Sequence, residues 1–356
     1  MTSGQATSRM MVRRRTWRRL HLWLALSLGA VIALLGLTGA ALVMKGPLFR
    51  WETGRIIAAP GPVSPGSWIA TARTAQPDLV RVMGISAPRA GFLPTDAATV
   101  YGPTAAGGFS IVLIDPATAR PLGVIAYDDT LFSIVVDLHR RLLLPPPWGS
   151  IAGTIAGGGL ILSTVSGLWL WWPRAPRRFR LPRLTRAAQG RRRVQELHDT
   201  SGVWLALPML VVAITGAMLA WPLGGPPGPS RPTGPATICR ASAPDPDAAL
   251  AMANDAVPQA RFLGLTPAGP DGLVRIRLAT GDILPPLTVA IDGCGAVTID
   301  RQGVVHHLLA TIHGRLLAGD VGRAVVFAAG LALPLLYVTG LLAWLRRRRH
   351  ARARPA

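Results

Sequence analysis

Three arginine-rich blocks, each free of acidic residues and each set against a long apolar run, constrain this chain more than any other feature. Segment 9–19 holds six Arg, segment 174–193 nine and segment 346–354 six, with no Asp or Glu in any of them. Together they carry 21 positive charges, the whole net charge of +21 on the 356 residues. The other 17 basic residues, Lys45 and 16 Arg, are matched by 17 acidic ones. A surplus confined to blocks beside apolar runs is the positive-inside pattern of a membrane protein. It excludes a single soluble domain and a disordered basic protein. It also turns the reading away from nucleic acid, which the bulk charge alone would suggest. The blocks are expected to lie against anionic lipid headgroups.

The apolar runs cover roughly 21–44, 148–172, 201–221 and 324–345. Each comes close to the ~20 residues that cross ~30 Å of hydrocarbon. None alternates as a strand does, so all four are expected to be helices. With the Arg blocks cytoplasmic, both termini and the middle loop lie inside. The expected order is a basic N-terminus (1–19), first span (20–45), outer region (46–147), second span (148–172), basic loop (173–199), third span (200–221), second outer region (222–323), fourth span (324–345) and basic tail (346–356). In a Gram-negative bacterium this is an inner-membrane protein with periplasmic outer regions. The first run exceeds the ~7–15 residues of a signal-peptide core and ends on no A-x-A site, so it is expected to stay as an anchor. The arginines at 13–19 lack the rest of a twin-arginine signal.

The chain also repeats itself. Leu20-His21 matches Leu197-His198, Thr38-Gly39-Ala40 matches Thr215-Gly216-Ala217, and Ile114-Asp115 matches Ile291-Asp292, all at an offset of 177. His139-Arg140-Arg141-Leu142-Leu143 matches His313-Gly314-Arg315-Leu316-Leu317 at 174, and Ser166-Gly167-Leu168 matches Thr339-Gly340-Leu341 at 173. The fold expected is therefore membrane α-helical. It is a four-helix transmembrane bundle from an internal duplication, with two small α+β modules outside. Residues 111–115 and 286–292 read as strands followed by turns, and 66–78 and 246–256 as short helices. Gly224 to Pro235 reads as a Pro/Gly-rich linker. Cys239 and Cys294 both fall in the second outer region, where an oxidising compartment permits a disulfide.

Four of the seven His belong to the repeat. His21 and His198 fall near the inner face, His139 and His313 near the outer face. A pseudo-twofold axis sets each pair opposite one another, which is what the two axial positions of a six-coordinate haem iron need. Two b-type haems are the expected cofactors, with these four His as iron ligands. Zinc is the weaker alternative, because it prefers three or four clustered protein ligands. Along a helix Thr38 lies ~25 Å beyond His21. Thr38-Gly39 and Thr215-Gly216 are therefore expected at the outer level, with Ser166-Gly167 and Thr339-Gly340 at the inner one. Small residues there let a macrocycle or a neighbouring helix approach closely. Helix packing alone would explain the glycines equally well, but not the His. Arg141 and Arg315 suit haem propionates, or are ordinary interfacial arginines. His306 and His307 break the repeat, so they are either substrate-side groups facing an outer metal chelate or plain surface residues. His350 sits in the basic tail as a solvated residue. No GxGxxG follows a strand, so any electron donor is expected to be separate.

Three stretches together resemble the PepSY-associated transmembrane family. They are Arg19-Leu20-His21-Leu22-Trp23 running to Leu37-Thr38-Gly39, Leu138-His139-Arg140-Arg141-Leu142-Leu143, and Ile312-His313-Gly314-Arg315 running through Gly319-Asp320-Val321-Gly322-Arg323 to Thr339-Gly340. Ile114-Asp115-Pro116-Ala117-Thr118 resembles part of a PepSY domain. The segment Leu144-Pro145-Pro146-Pro147-Trp148 stands where the family has a Gly-rich turn. The resemblance implies an inner-membrane protein linked to iron uptake, similar to di-haem reductases of ferric siderophores. The function expected is electron transfer from a cytoplasmic-side donor to a chelated Fe(III) outside. The rival is a non-enzymatic membrane sensor whose PepSY-like modules bind a peptide or protease. A metal-ion transporter ranks below both, because the spans offer few polar groups apart from Thr and Ser.

Overall fold

The computed structural model describes residues 3–54, 56–91, 93, 95–172, 182–185, 188–221, 244–281, 285–301 and 304–352. Most of the middle arginine block, the Gly224–Pro235 linker, Cys239 and the side chain of His350 lie outside the described residues. The chain divides into two compact units. One holds residues 1–43, 135–224 and 309–356, the other residues 44–134 and 225–308.

The first unit is helical. Two of its helices, α6 (Trp148–Trp171) and α11 (Gly319–Arg352), are long and apolar enough to cross a membrane. The first and third apolar runs each form a bent pair. α1 (Ser3–Ser27) meets α2 (Gly29–Val43) at 63°, and α7 (Gly190–Trp204) meets α8 (Ala206–Ala220) at 61°. Apolar periodicity runs unbroken through both joints, so it predicted one helix each. The local causes are ordinary kink-formers. Ser27 Oγ folds back on the Trp23 carbonyl beside Gly29, and Pro208 removes an N–H in the first turn of α8. The straight ~25 Å path from His21 to Thr38 is corrected accordingly.

The bends divide the packing. α1 lies against α6 while α2 lies against α11; α7 lies against α11 while α8 lies against α6. Small residues allow the closest approaches. A Cβ added at Gly330 would come within 2.7 Å of the Gly36 carbonyl and 3.1 Å of Ala40 Cβ. On the other face, a Cβ at Gly157 would meet Ala217 Cβ at 2.9 Å and the Ala213 carbonyl at 3.4 Å. Two short helices, α5 (Leu131–Arg141) and α10 (Val304–Arg315), precede α6 and α11. Both end in two left-handed leucines, with φ of 54° and 58° at Leu142 and Leu143 and of 50° and 58° at Leu316 and Leu317. Gly149 and Gly322 let the next helix start against the backbone of that turn, where a Cβ would meet the Arg141 carbonyl at 2.7 Å and clash with the Arg315 carbonyl. Arg323 donates to the Val43 carbonyl at 3.1 Å, closing the end of α2.

The second unit corrects the expectation of two separate modules. Among its described residues eight strands, β1 (Gly84–Ser86), β2 (Ala98–Pro103), β3 (Phe109–Ile114), β4 (Pro121–Ala126), β5 (Arg261–Thr266), β6 (Val274–Ala279), β7 (Leu287–Ile291) and β8 (Val297–Asp300), form one antiparallel sheet in the order β4-β3-β2-β1-β5-β6-β7-β8. β1 (Gly84–Ser86) pairs with β5 (Arg261–Thr266), joining the meander β1–β4 to the meander β5–β8. Edge pairing of this kind satisfies two rows of open N–H and C=O groups at once. α4 (Pro65–Ala75) and α9 (Pro246–Ala256) pack on the sheet. Trp68, Ile85, Val100, Val112, Ile114, Leu250, Leu265, Ile276, Leu278 and Ile291 build one shared core beneath them. Burial of each such side chain contributes about 1.5–3 kcal/mol. α3 (Lys45–Thr53) also belongs here, and its Glu52 accepts from the N–H groups of Leu131 and Phe132 to cap α5. Cys294 is disulfide-bonded.

Candidate functional site

The structure brings the four repeat histidines together as two pairs. His21 on α1 faces His198 on α7, with ring centroids 6.3 Å apart and planes at 90°. His139 on α5 faces His313 on α10, with centroids 6.2 Å apart and planes at 45°. All four are partly buried.

Each imidazole sits in the same kind of seat on a neighbouring helix. His139 Nδ1 lies 3.1 Å from the Leu35 carbonyl and 3.2 Å from Thr38 Oγ1. His313 Nδ1 lies 3.0 Å from the Val212 carbonyl and 3.2 Å from Thr215 Oγ1. His21 Nδ1 lies 3.1 Å from the Ser163 carbonyl and 2.9 Å from Ser166 Oγ. His198 Nδ1 meets Thr339 Oγ1 at 3.0 Å, and the Leu336 backbone hydrogen-bonds to the same ring. In every case the carbonyl comes from three residues before the Thr or Ser. The threonines donate their own hydroxyl hydrogen to the carbonyl four residues back, at 2.7–2.8 Å, so their oxygen is left to accept.

A carbonyl can only accept, so Nδ1 carries the proton in all four rings. Nε2 then keeps its lone pair and is the nitrogen able to bind a metal. Two metal–imidazole bonds of about 2.0–2.1 Å, with each ring centroid about 1 Å beyond its nitrogen, put the centroids of a trans pair about 6 Å apart. Both observed separations match that figure. Two imidazoles per level are a donor set that a haem iron could use. No group of three or more His, Cys, Asp or Glu able to hold a metal occurs among the described residues, whereas tetrahedral zinc needs such a cluster.

The glycines turn out to serve the imidazole itself. A Cβ at Gly39 would stand 2.9 Å from His139 Cε1, and one at Gly216 2.8 Å from His313 Cε1. At Gly167 and Gly340 the corresponding distances to His21 and His198 are 3.3 and 3.4 Å. The Cε1 corner of the ring points at the glycine while its Nδ1 reaches the preceding turn. The proline-rich segment after His139 leaves this seat unchanged, since its distances are those of His313.

The remaining candidates are placed less distinctively. Arg141 is exposed and pairs with Asp137 one turn earlier on α5. Arg315 is exposed at the end of α10. His306 is exposed and His307 half-buried in the first turn of α10. The seat carbonyls of Leu35, Ser163, Val212 and Leu336 were not foreseen, because a main-chain acceptor leaves no mark on residue type.

The family described as "PepSY-associated TM region" matches residues 18–347, nearly the whole chain. No curated protein matches it. The chain belongs to the PepSY-associated transmembrane family and is a membrane protein.

Proposed function

We propose that this protein carries electrons across the bacterial inner membrane, from a cytoplasmic-side donor to a chelated Fe(III) outside. The chelate would be a ferric siderophore or a related iron complex. The observation that supports this most is the shared seat. Four imidazoles are held through Nδ1 in like seats on neighbouring helices and face one another in two pairs, with ring centroids 6.3 and 6.2 Å apart. His21 and His198 would hold one b-type haem, His139 and His313 the other. A haem bound at either pair would supply one-electron transfer. The chain's own part is to fix the tautomer, orient the rings and exclude water from between them.

The finer architecture goes with this reading. Two bent helices and two straight ones would form a four-helix bundle, and a gene duplication would relate its halves. The matching of Gly36, Ala40 and Gly330 by Ala213, Ala217 and Gly157, at the repeat offsets, supports that. The three arginine blocks would put both termini in the cytoplasm and the sheet in the periplasm. Arg141 and Arg315 would serve propionates at the outer haem, and His306 and His307 would face the acceptor.

An absorption spectrum of protein purified after haem-replete expression is the test. Two b-type haems per chain are expected, with His139→Ala or His313→Ala leaving one haem that is still reducible. A colourless protein that tolerates all four His substitutions would instead point to the peptide- or protease-binding sensor.

A further inference from the structure

The seam between β1 and β5 gathers polar groups on the face of the sheet away from α4 and α9. Ile85, Ile276 and Leu278 point into the core, so Ser86 and Arg277, one residue along, point to the opposite face. The register runs Thr99, Ser86, Gly264, Arg277 across four strands. Arg277 is half-buried and forms no ion pair or hydrogen bond among the described residues. Its guanidinium reaches back over β5, to within 2.9 Å of where a Gly264 Cβ would stand. From the other side Tyr101 reaches over β1, where a Cβ at Gly84 would clash with its hydroxyl. Gly84 and Gly264 are diagonal neighbours across the seam, with Cα atoms about 7–8 Å apart. The two glycines therefore let the tips of Tyr101 and Arg277 converge over the pairing that joins the meanders.

Two further hydroxyls complete the cluster. Ser86 is 3% exposed and Thr99 5%. Neither hydroxyl, nor that of Tyr101, has a hydrogen-bond partner among the described residues. Gly91 passes above them, where a Cβ would stand 3.1 Å from Ser86 Oγ and 3.7 Å from Thr99 Oγ1. Polar groups buried without partners give up hydration and gain nothing in return. The neighbouring charges do not answer this need. Arg275, on the same face of β6, is paired with Asp271. Asp300 ends the row on β8, two strands beyond Arg277, and the guanidinium turns the other way. One half-buried cation beside three hydroxyls matches the single charge and two oxygens of a carboxylate.

We propose that this seam binds the carboxylate of a small organic acid, with Arg277 on its oxygens and the hydroxyls of Tyr101, Ser86 and Thr99 donating to it. The site is independent of the haem reading, and its test needs no haem. Full-length protein in zwitterionic nanodiscs is treated with the arginine reagent phenylglyoxal. Peptide mass spectrometry reads Arg277 against Arg73, which is exposed on α4. Acetate, benzoate, inorganic phosphate and chloride are compared at equal ionic strength. At about ten times the dissociation constant, acetate or benzoate lowers labelling of Arg277 about tenfold and leaves Arg73 unchanged. Tyr101→Phe and Ser86→Ala each raise the concentration for half protection about tenfold. Thr298→Val, on the same face but outside the seam, leaves it unchanged. Labelling of Arg277 that neither carboxylate lowers, or that phosphate lowers as readily, overturns the proposal. So does undiminished protection in both hydroxyl variants.

Discussion

Alanine at the four seat glycines separates a role for the imidazole from general helix packing. The added Cβ would lie 2.9 Å from His139 Cε1 at Gly39 and 2.8 Å from His313 Cε1 at Gly216. Carbon pairs prefer about 3.5–4.0 Å, so those two rings must retreat by roughly 0.6 Å or more. Retreat strains the Nδ1 bonds, at 3.1 and 3.2 Å for His139, and losing one costs about 0.5–1.5 kcal/mol. Overpacking adds about 1–3 kcal/mol. The better helix propensity of alanine offsets about 1 kcal/mol. Gly39→Ala and Gly216→Ala should therefore destabilise by about 1–3 kcal/mol. At Gly340 the contact is an ordinary 3.4 Å, so Gly340→Ala should be neutral or slightly stabilising, with Gly167→Ala at 3.3 Å between the extremes. Thermal unfolding in one detergent ranks the four variants whether or not haem is bound. Spectra should show the loss confined to the His139–His313 haem. A Gly340→Ala variant as damaged as Gly39→Ala would refute the seat.

Thr38→Val removes one acceptor of His139 Nδ1 but leaves the Leu35 carbonyl, so it should cost about 0.5–1.5 kcal/mol in unfolding experiments and retain two haems. Gly36→Ala places a Cβ 2.7 Å from the Gly330 carbonyl and should destabilise by about 1–3 kcal/mol, whereas Gly158→Ala meets nothing within 4 Å and should gain up to about 1 kcal/mol, both by thermal unfolding. In the second unit, the hydrogen bond from Arg275 holds the Asp271 carboxyl below its usual range. A depressed folded-state value stabilises above the unfolded pKa of about 3.9 and is lost as pH falls through the folded one. Asp271→Asn should therefore unfold with less pH dependence below about pH 4 than the parent, by under about 1 kcal/mol, in acid titrations followed by circular dichroism.

Legibility in the sequence followed locality. The helices α4 and α9 and the strands β3 and β7 lie close to where periodicity and turn residues put them. Each Thr or Ser of the four Thr/Ser-Gly pairs also meets the His that was expected at its level, although the helix bends shorten the path assumed for two of them. The union of the two meanders was not legible. β1 is three residues long, and its pairing with β5 brings together positions about 180 residues apart with no local signature. The bends at Leu28 and Leu205 were missed because apolar pattern reports burial rather than axis direction. Ser27-Gly29 and Pro208 were the only available hints. For the histidines, residue type and repeat offset suggested partners, but not the carbonyls that set the tautomer.

The arrangement of seats has a consequence for how the two pairs are controlled. Within the first half, α2 seats His139 from α5 while α6 seats His21 from α1. Within the second, α8 seats His313 from α10 while α11 seats His198 from α7. Every imidazole is thus held by its own half, yet each facing pair has one ring from either half. The 6.3 and 6.2 Å gaps are then set by how the halves pack, through Gly36 against Gly330 and through Gly157 against Ala213 and Ala217. Interiors this closely packed transmit a displaced backbone rather than absorb it. Gly330→Leu should accordingly disturb both haem signals together, whereas Thr38→Val should alter only that of His139 and His313. Paired spectra of the two variants decide it. A Gly330→Leu protein with one haem altered and the other native would mean that each gap is set locally, not by the interface between the halves.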